Sequence, residues 1–217
     1  VVADLLERAT GTDYRAYVAE RVLLPLGLKR LQLGVPIDEQ GDIVDTVAVG
    51  VHEEMDDRAP VIVTPDGLLE IDLPDVRAVG VPGAGAVSTA ADIALLYQAF
   101  LHNPGGLWDP AVLADATGRI RNTLIDPWTK VAANRSLGLV IAGDDGNAPM
   151  RDALGRSVGP RAFGASGASG QVAWADPDSG LSFCYLTNGL EADQVKAFLR
   201  SSSVSTLAGR LLLESGA

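Results

Sequence analysis

The stretch Phe163-Gly164-Ala165-Ser166-Gly167-Ala168-Ser169-Gly170 runs straight into a hairpin pattern, and reading the two together decides the fold. Gln171–Asp176 and Leu181–Thr187 are strand-like runs on either side of Pro177-Asp178-Ser179-Gly180, a cluster of turn formers. Taken alone, the Gly/Ser octet has the composition of a tightly turning loop. Further along, Val204, Leu207, Ala208, Leu211 and Leu212 recur at i, i+3, i+4, i+7 and i+8, which predicts a closing amphipathic helix packed on a sheet. On the other side, Leu137–Ala142 is another strand candidate.

Upstream, the pattern becomes helical. Ser88-Thr89-Ala90-Ala91-Asp92 reads as a helix start, with Ser88 as N-cap and Asp92 placing negative charge in the first turn. Ile93, Leu96, Tyr97 and Phe100 supply its buried face, and Pro104-Gly105 stops it. A short helix follows from Asp109-Pro110 to Gly118. Near the start, Val2, Leu5, Leu6 and Ala9 form a helical stripe closed by Gly11. Thr12 or Asp13 then caps a second helix, which should end around Leu24–Leu28, where Pro25 and Gly27 break it. Residues 31–82 read as a loop-rich insertion. The order of helices, then strands, then a closing helix predicts an α+β fold with an antiparallel sheet. Residues 1–134 would form a mostly helical, loop-rich region, and residues 135–217 the C-terminal strands and final helix. The first helical stripe is already under way at Val1, without a cap, so the chain is expected to begin inside a longer protein.

Composition narrows the function classes. The chain has 217 residues with a formal net charge of −11, which argues against nucleic acid as a partner. No apolar run approaches the roughly 18 residues of a membrane helix, so no membrane span is expected. Cys184 is the single cysteine and reads as a small core side chain. His52 and His102 are the two histidines, far apart and without metal-ligand spacing, so no metal and no cofactor are expected. Trp108, Trp128 and Trp174 are core candidates that could also line a pocket.

Three segments together resemble the serine β-lactamase-like family, which includes class C β-lactamases, penicillin-binding DD-peptidases and related esterases. The first is Leu5-Leu6-Glu7-Arg8-Ala9-Thr10-Gly11 running on to Pro25-Leu26-Gly27-Leu28, similar to a helix pair that ends in Pro-Leu-Gly. The second is Pro82-Gly83-Ala84-Gly85-Ala86-Val87-Ser88-Thr89-Ala90-Ala91-Asp92, which resembles a Gly-rich turn and Ser-Thr-Ala-x-Asp helix start. The third is Phe163–Gly170, followed by Ala175-Asp176-Pro177 and Tyr185-Leu186-Thr187-Asn188. Each is moderate evidence; their order along the chain is the stronger signal.

The resemblance implies a β-lactamase/transpeptidase-like fold and a serine hydrolase working through an acyl-enzyme. In that family the nucleophile comes from Ser-x-x-Lys, where the lysine helps deprotonate the serine. Lys29, Lys130 and Lys196 are the only lysines, and Leu26, Pro127 and Asp193 stand three residues before them. The 217 residues therefore hold no Ser-x-x-Lys, and they also lack the family's Tyr-x-Asn. The element that has a counterpart is the substrate strand, Lys-Thr/Ser-Gly or His-Ser/Thr-Gly, which corresponds to Ala165-Ser166-Gly167. By resemblance, Ser166 would bond a substrate carbonyl or carboxylate, Gly167 would admit substrate to the strand, and Ala168 N–H would be an oxyanion donor. Ala165 replaces the expected cation or imidazole. These residues imply a small-molecule ester, lactam or peptide substrate in the complete protein, and inactivity of this chain alone. The alternative is a non-catalytic relative that binds or scaffolds through the same groove. Pairing with an N-terminal half, or homo-oligomerisation, is the expected association.

Overall fold

The computed structural model describes residues 1–50 and 65–214, so His52 lies outside the described residues. The helices are α1 (Val2–Thr10), α2 (Tyr14–Val18), α3 (Leu24–Leu26), α4 (Pro65–Ile71), α5 (Pro74–Val79), α6 (Ala90–His102), α7 (Pro110–Gly118) and α8 (Gln194–Glu214). The strands are β1 (Gln32–Leu33), β2 (Val47–Val49), β3 (Ala86–Val87), β4 (Val140–Ile141), β5 (Phe163–Ser166), β6 (Val172–Asp176), β7 (Leu181–Tyr185) and β8 (Gly189–Glu191). The architecture is α+β. Its main sheet has the order β4-β5-β6-β7, with every pair antiparallel.

The period of two along the strands builds two cores. Val172 and Trp174 of β6 face Leu154 and Ala208, the latter on α8. Ala173 and Ala175 face the opposite way, with Phe163 and Tyr97 of α6. Helices thus cover both faces of the sheet, and β6 is buried along its whole length. The β6–β7 hairpin forms where its turn residues predict, with Gly180 in the left-handed region (φ 71°) and its N–H on Asp176 O at 2.8 Å.

Several helix boundaries differ from the sequence expectation. The cap of α6 is Thr89, whose hydroxyl accepts from Asp92 N–H at 3.2 Å; the Ser88 hydroxyl instead bonds Thr89 O. Asp92 also takes Arg30 N–H at 2.7 Å, which ties the helix start to the chain after α3. Asp13, not Thr12, caps α2. The helix does end where Pro25 and Gly27 predict: after a π turn, Ala19–Leu23, its last residues are Leu24–Leu26, closed by the left-handed Gly27. The closing helix begins ten residues before Val204. Its serines hide the helical period, yet Ser203 Oγ and Thr206 Oγ1 bond back to the carbonyls of Leu199 and Ser202, so the polar groups are satisfied within the helix. Of Leu137–Ala142, only Val140–Ile141 is strand. Ser136–Leu139 turns instead, with Ser136 N–H on Leu139 O.

Candidate functional site

Strand β5 changes character half-way along. Phe163 and Gly164 are buried, Ala165 is half-buried, and Ser166, Gly167 and Ala168 are exposed. Gly164 is demanded by packing: a Cβ there would lie 2.3 Å from Ala173 O and 2.7 Å from Trp174 Cβ. At Gly167 a Cβ would meet only Gln171 Cβ, at an ordinary 3.4 Å.

Hydrogen-bond direction alternates along the strand. Gly167 N–H bonds Gln171 O of the hairpin at 2.9 Å, and Ala162 O accepts from Ala142 N–H on the other side at 2.8 Å. The two-residue period therefore turns the Ser166 N–H and C=O outward, like those of Ala162 and Gly164. Strand β4 covers that edge at Phe163 and Gly164 and then turns away. Beyond it, Ser166 N–H meets a single group, the Asp152 carboxylate at 3.4 Å. Ala168 N–H, two residues on, takes no partner among the described residues. The structure thus brings Ser166, Gly167 and Ala168 to one accessible edge, with Ala165 at its root.

Sequence reasoning passed over Asp152. It stands in the turn Arg151-Asp152-Ala153-Leu154, closed by Leu154 N–H on Arg151 O at 3.1 Å, with φ values of 47° at Asp152 and 55° at Ala153. A turn with both central residues left-handed normally uses Asn-Gly or Asp-Gly. Such a conformation costs about 1–2 kcal/mol at a non-glycine residue and persists where surroundings over-determine it. The buried Arg151 does this, donating to Ala132 O, Ala142 O and Asp145 Oδ1, each at 2.6 Å. Burial holds the Asp152 carboxyl above the usual carboxylate range, against the opposing pull of Arg135, 3.9 Å away. The opposite holds for Asp145, kept well below that range by its bonds to Arg151. The signal available in sequence was Arg-Asp-Ala-Leu, which lacks the glycine that announces such a turn.

Other candidates lie elsewhere. His102 is exposed and bonds Gln98 Oε1 at 3.0 Å. Burial pushes the Cys184 thiol up to about 11, which suits a packed side chain and not a nucleophile. Trp174 is fully buried, Trp128 is largely exposed in the turn capped by Asp126, and Trp108 lines an apolar cavity of about 320 Å³ with Phe100, Leu113 and Leu139. None of Ala165–Ala168 lines that cavity. Among the described residues no cluster of three or more His, Cys, Asp or Glu could hold a metal ion. No helix among them is long and apolar enough to cross a membrane.

The beta-lactamase family model matches residues 1–203. The chain belongs to the β-lactamase family. No curated protein matches it. Solved structures with the same fold include EstA from Arthrobacter nitroguajacolicus Rue61a, at 20% identity and a TM-score of 0.68 over 99% of this chain and 58% of that one. A β-lactamase from Mycobacterium bovis is 22% identical, with a TM-score of 0.61 over 94% of this chain and 58% of that one. A penicillin-binding protein homolog from Caulobacter crescentus is 22% identical, with a TM-score of 0.64, over 94% of this chain and 55% of that one. The chain thus spans a little over half the length of these β-lactamase-fold relatives.

Proposed function

We propose that these residues form the substrate-strand side of an acyl-transfer site in a serine hydrolase acting on esters, amides or lactams. The observation that carries this reading is the accessible edge at Ser166-Gly167-Ala168, where the one-sided pairing of β5 leaves backbone groups turned outward. A substrate laid along this edge would find the Ser166 C=O as acceptor and the Ala168 N–H as donor. The latter suits an acyl oxygen that gains negative charge. The nucleophile is to be supplied by a segment outside these 217 residues, which contain no Ser-x-x-Lys; the chain alone is therefore inactive. The coding sequence upstream of Val1 tests this. An in-frame Ser-x-x-Lys followed by Tyr-x-Asn supports the hydrolase, and a coding sequence without them overturns it.

The second reading, a non-catalytic relative that binds through the same edge, is favoured by Ala165, which puts no cation or imidazole beside the strand. Either reading carries an association. Strand β7 has no strand on its outer side among the described residues, and Val195, Leu199 and Leu207 of α8 are exposed. Unpaired edges and apolar helix faces draw a further chain segment. Size exclusion with light scattering should find a dimer or larger species, or a monomer that takes up an N-terminal segment in trans. A stable monomer indifferent to that segment would contradict the association.

A further inference from the structure

The edge at Ser166 carries a charge that its hydrogen bond does not require. A neutral acceptor would satisfy the Ser166 N–H equally well, and an asparagine adopts the left-handed backbone more readily than most residues. An aspartate there adds the cost of partly burying a carboxylate, since only 20% of its side chain is exposed. Its neutralisation is incomplete. Arg135 reaches Asp152 Oδ1 at 3.9 Å with its side chain half exposed, and Asp126 adds a second negative charge within electrostatic reach. The buried Arg151 cannot compensate, because its guanidinium is engaged with Asp145 and two backbone carbonyls.

This changes what the edge can recognise. With Ser166 N–H committed to Asp152, the backbone and charged groups left facing a ligand at that position are the Ser166 C=O and the Asp152 carboxylate oxygens, all acceptors, beside the Ser166 hydroxyl, which can donate or accept. The Ala168 N–H, two residues on, is a further donor. Ala165 contributes no positive charge from the strand itself. The only formal charge the edge itself presents is therefore negative, so a ligand ammonium would be drawn to it and a ligand carboxylate would meet a like charge.

We infer that Asp152 is a specificity-determining residue of this edge: its carboxylate, fixed beside Ser166 by the Arg151–Leu154 turn, selects ligands bearing an ammonium group and rejects ligands bearing a carboxylate. The inference rests on the acyl-site reading and names its substrate class, amides and amino-acid derivatives with a free amine. Three matched probes separate the two: phenylalaninamide (cationic), N-acetylphenylalaninamide (neutral) and N-acetylphenylalanine (anionic). Each is titrated into the whole chain at pH 7 while the backbone amide resonances of Ser166, Gly167 and Ala168 are followed.

The expected affinity order is cationic, neutral, anionic, with about tenfold between first and last, as for one charge near another in a partly solvated site. Asp152→Asn should collapse that span while leaving the neutral probe unchanged, and 0.5 M salt should compress it in the wild-type chain. An anionic probe that binds as tightly as the cationic one, or an order indifferent to D152N, overturns the inference while the acyl-site reading stands. If none of the probes shifts these three amides, the acyl-site reading falls and the inference with it. The D152N amide spectrum shows directly whether the turn survives, because asparagine keeps both the acceptor and the left-handed preference.

Discussion

The two ends of strand β5 differ by a few residues in sequence and by their whole physical situation. At Phe163–Gly164 the strand is hydrogen-bonded on both sides and packed on both faces: Phe163 stacks on Tyr97 with centroids 6.3 Å apart, and Gly164 is pressed between Ala173, Trp174 and Leu154. At Ser166–Ala168 it is bonded only toward the hairpin, and its outer edge faces solvent and Asp152. One end is fixed by the fold. The other is left open, and the fold has gone to some expense, in Arg151 and two left-handed residues, to place a carboxylate beside it.

The most damaging way to break this contrast is to remove what joins the two ends. Arg151→Met would leave Ala132 O and Ala142 O without their donor in the interior and strip Asp145 of its partner. A loss of about 3 kcal/mol is expected in urea unfolding, with the Ser166 amide resonance displaced as the Asp152 turn relaxes. Unchanged stability would mean that Arg151 is a bystander.

The paired glycine substitutions sharpen the comparison most directly. Gly164→Ala forces a methyl against backbone, and should cost about 2 kcal/mol by the same measurement. Gly167→Ala meets only Gln171 Cβ at contact distance and should change stability by under about 0.5 kcal/mol. Its effect should appear instead as weaker ligand binding along the edge. Equal stability costs at the two positions would erase the distinction between the ends.

A smaller effect comes from pH, because the carboxylates on either side of Arg151 are shifted in opposite directions. The folded pKa of Asp145 is depressed, so the stability it contributes is present above the unfolded value near 3.8 and lost as pH falls toward the folded one. That of Asp152 is raised, so its ionised form is a penalty at neutral pH, relieved as pH falls through its folded pKa toward 3.8. Asp145→Asn should therefore lower stability at pH 7, modestly because the Asp145 side chain is 43% exposed, with the difference fading in acid. Asp152→Asn should raise stability at pH 7 and lose that advantage near pH 3. Parallel pH profiles for the two variants would contradict the assignment.

The same contrast explains what was legible in the sequence. The hairpin, α7 with its Asp109 cap and the left-handed Gly11 were readable because local turn and cap chemistry specifies them. Ser166 ends strand β5, while Ala168 opens a short 3-10 turn, in keeping with the turn-forming Gly/Ser composition there. The pairing of β2 with β8 was not readable, since Val47–Val49 finds Gly189–Glu191 from far along the chain, helped by Asn188 Nδ2 on Asp45 O. Nor was the start of α8, where serine hydroxyls satisfied inside the helix look in sequence like a loop. Asp152 was invisible for a subtler reason: its turn is enforced by a buried arginine, not by glycine, and its partner Ser166 is fourteen residues away.

The central claim is that this edge receives substrate but the chain does not itself attack it. Incubation of the purified chain with a fluorophosphonate, followed by intact mass measurement, tests it most directly. The account predicts no adduct. Stoichiometric labelling, mapped to Ser166 or to any other serine of the chain, would show that these 217 residues carry an activated nucleophile and would contradict it.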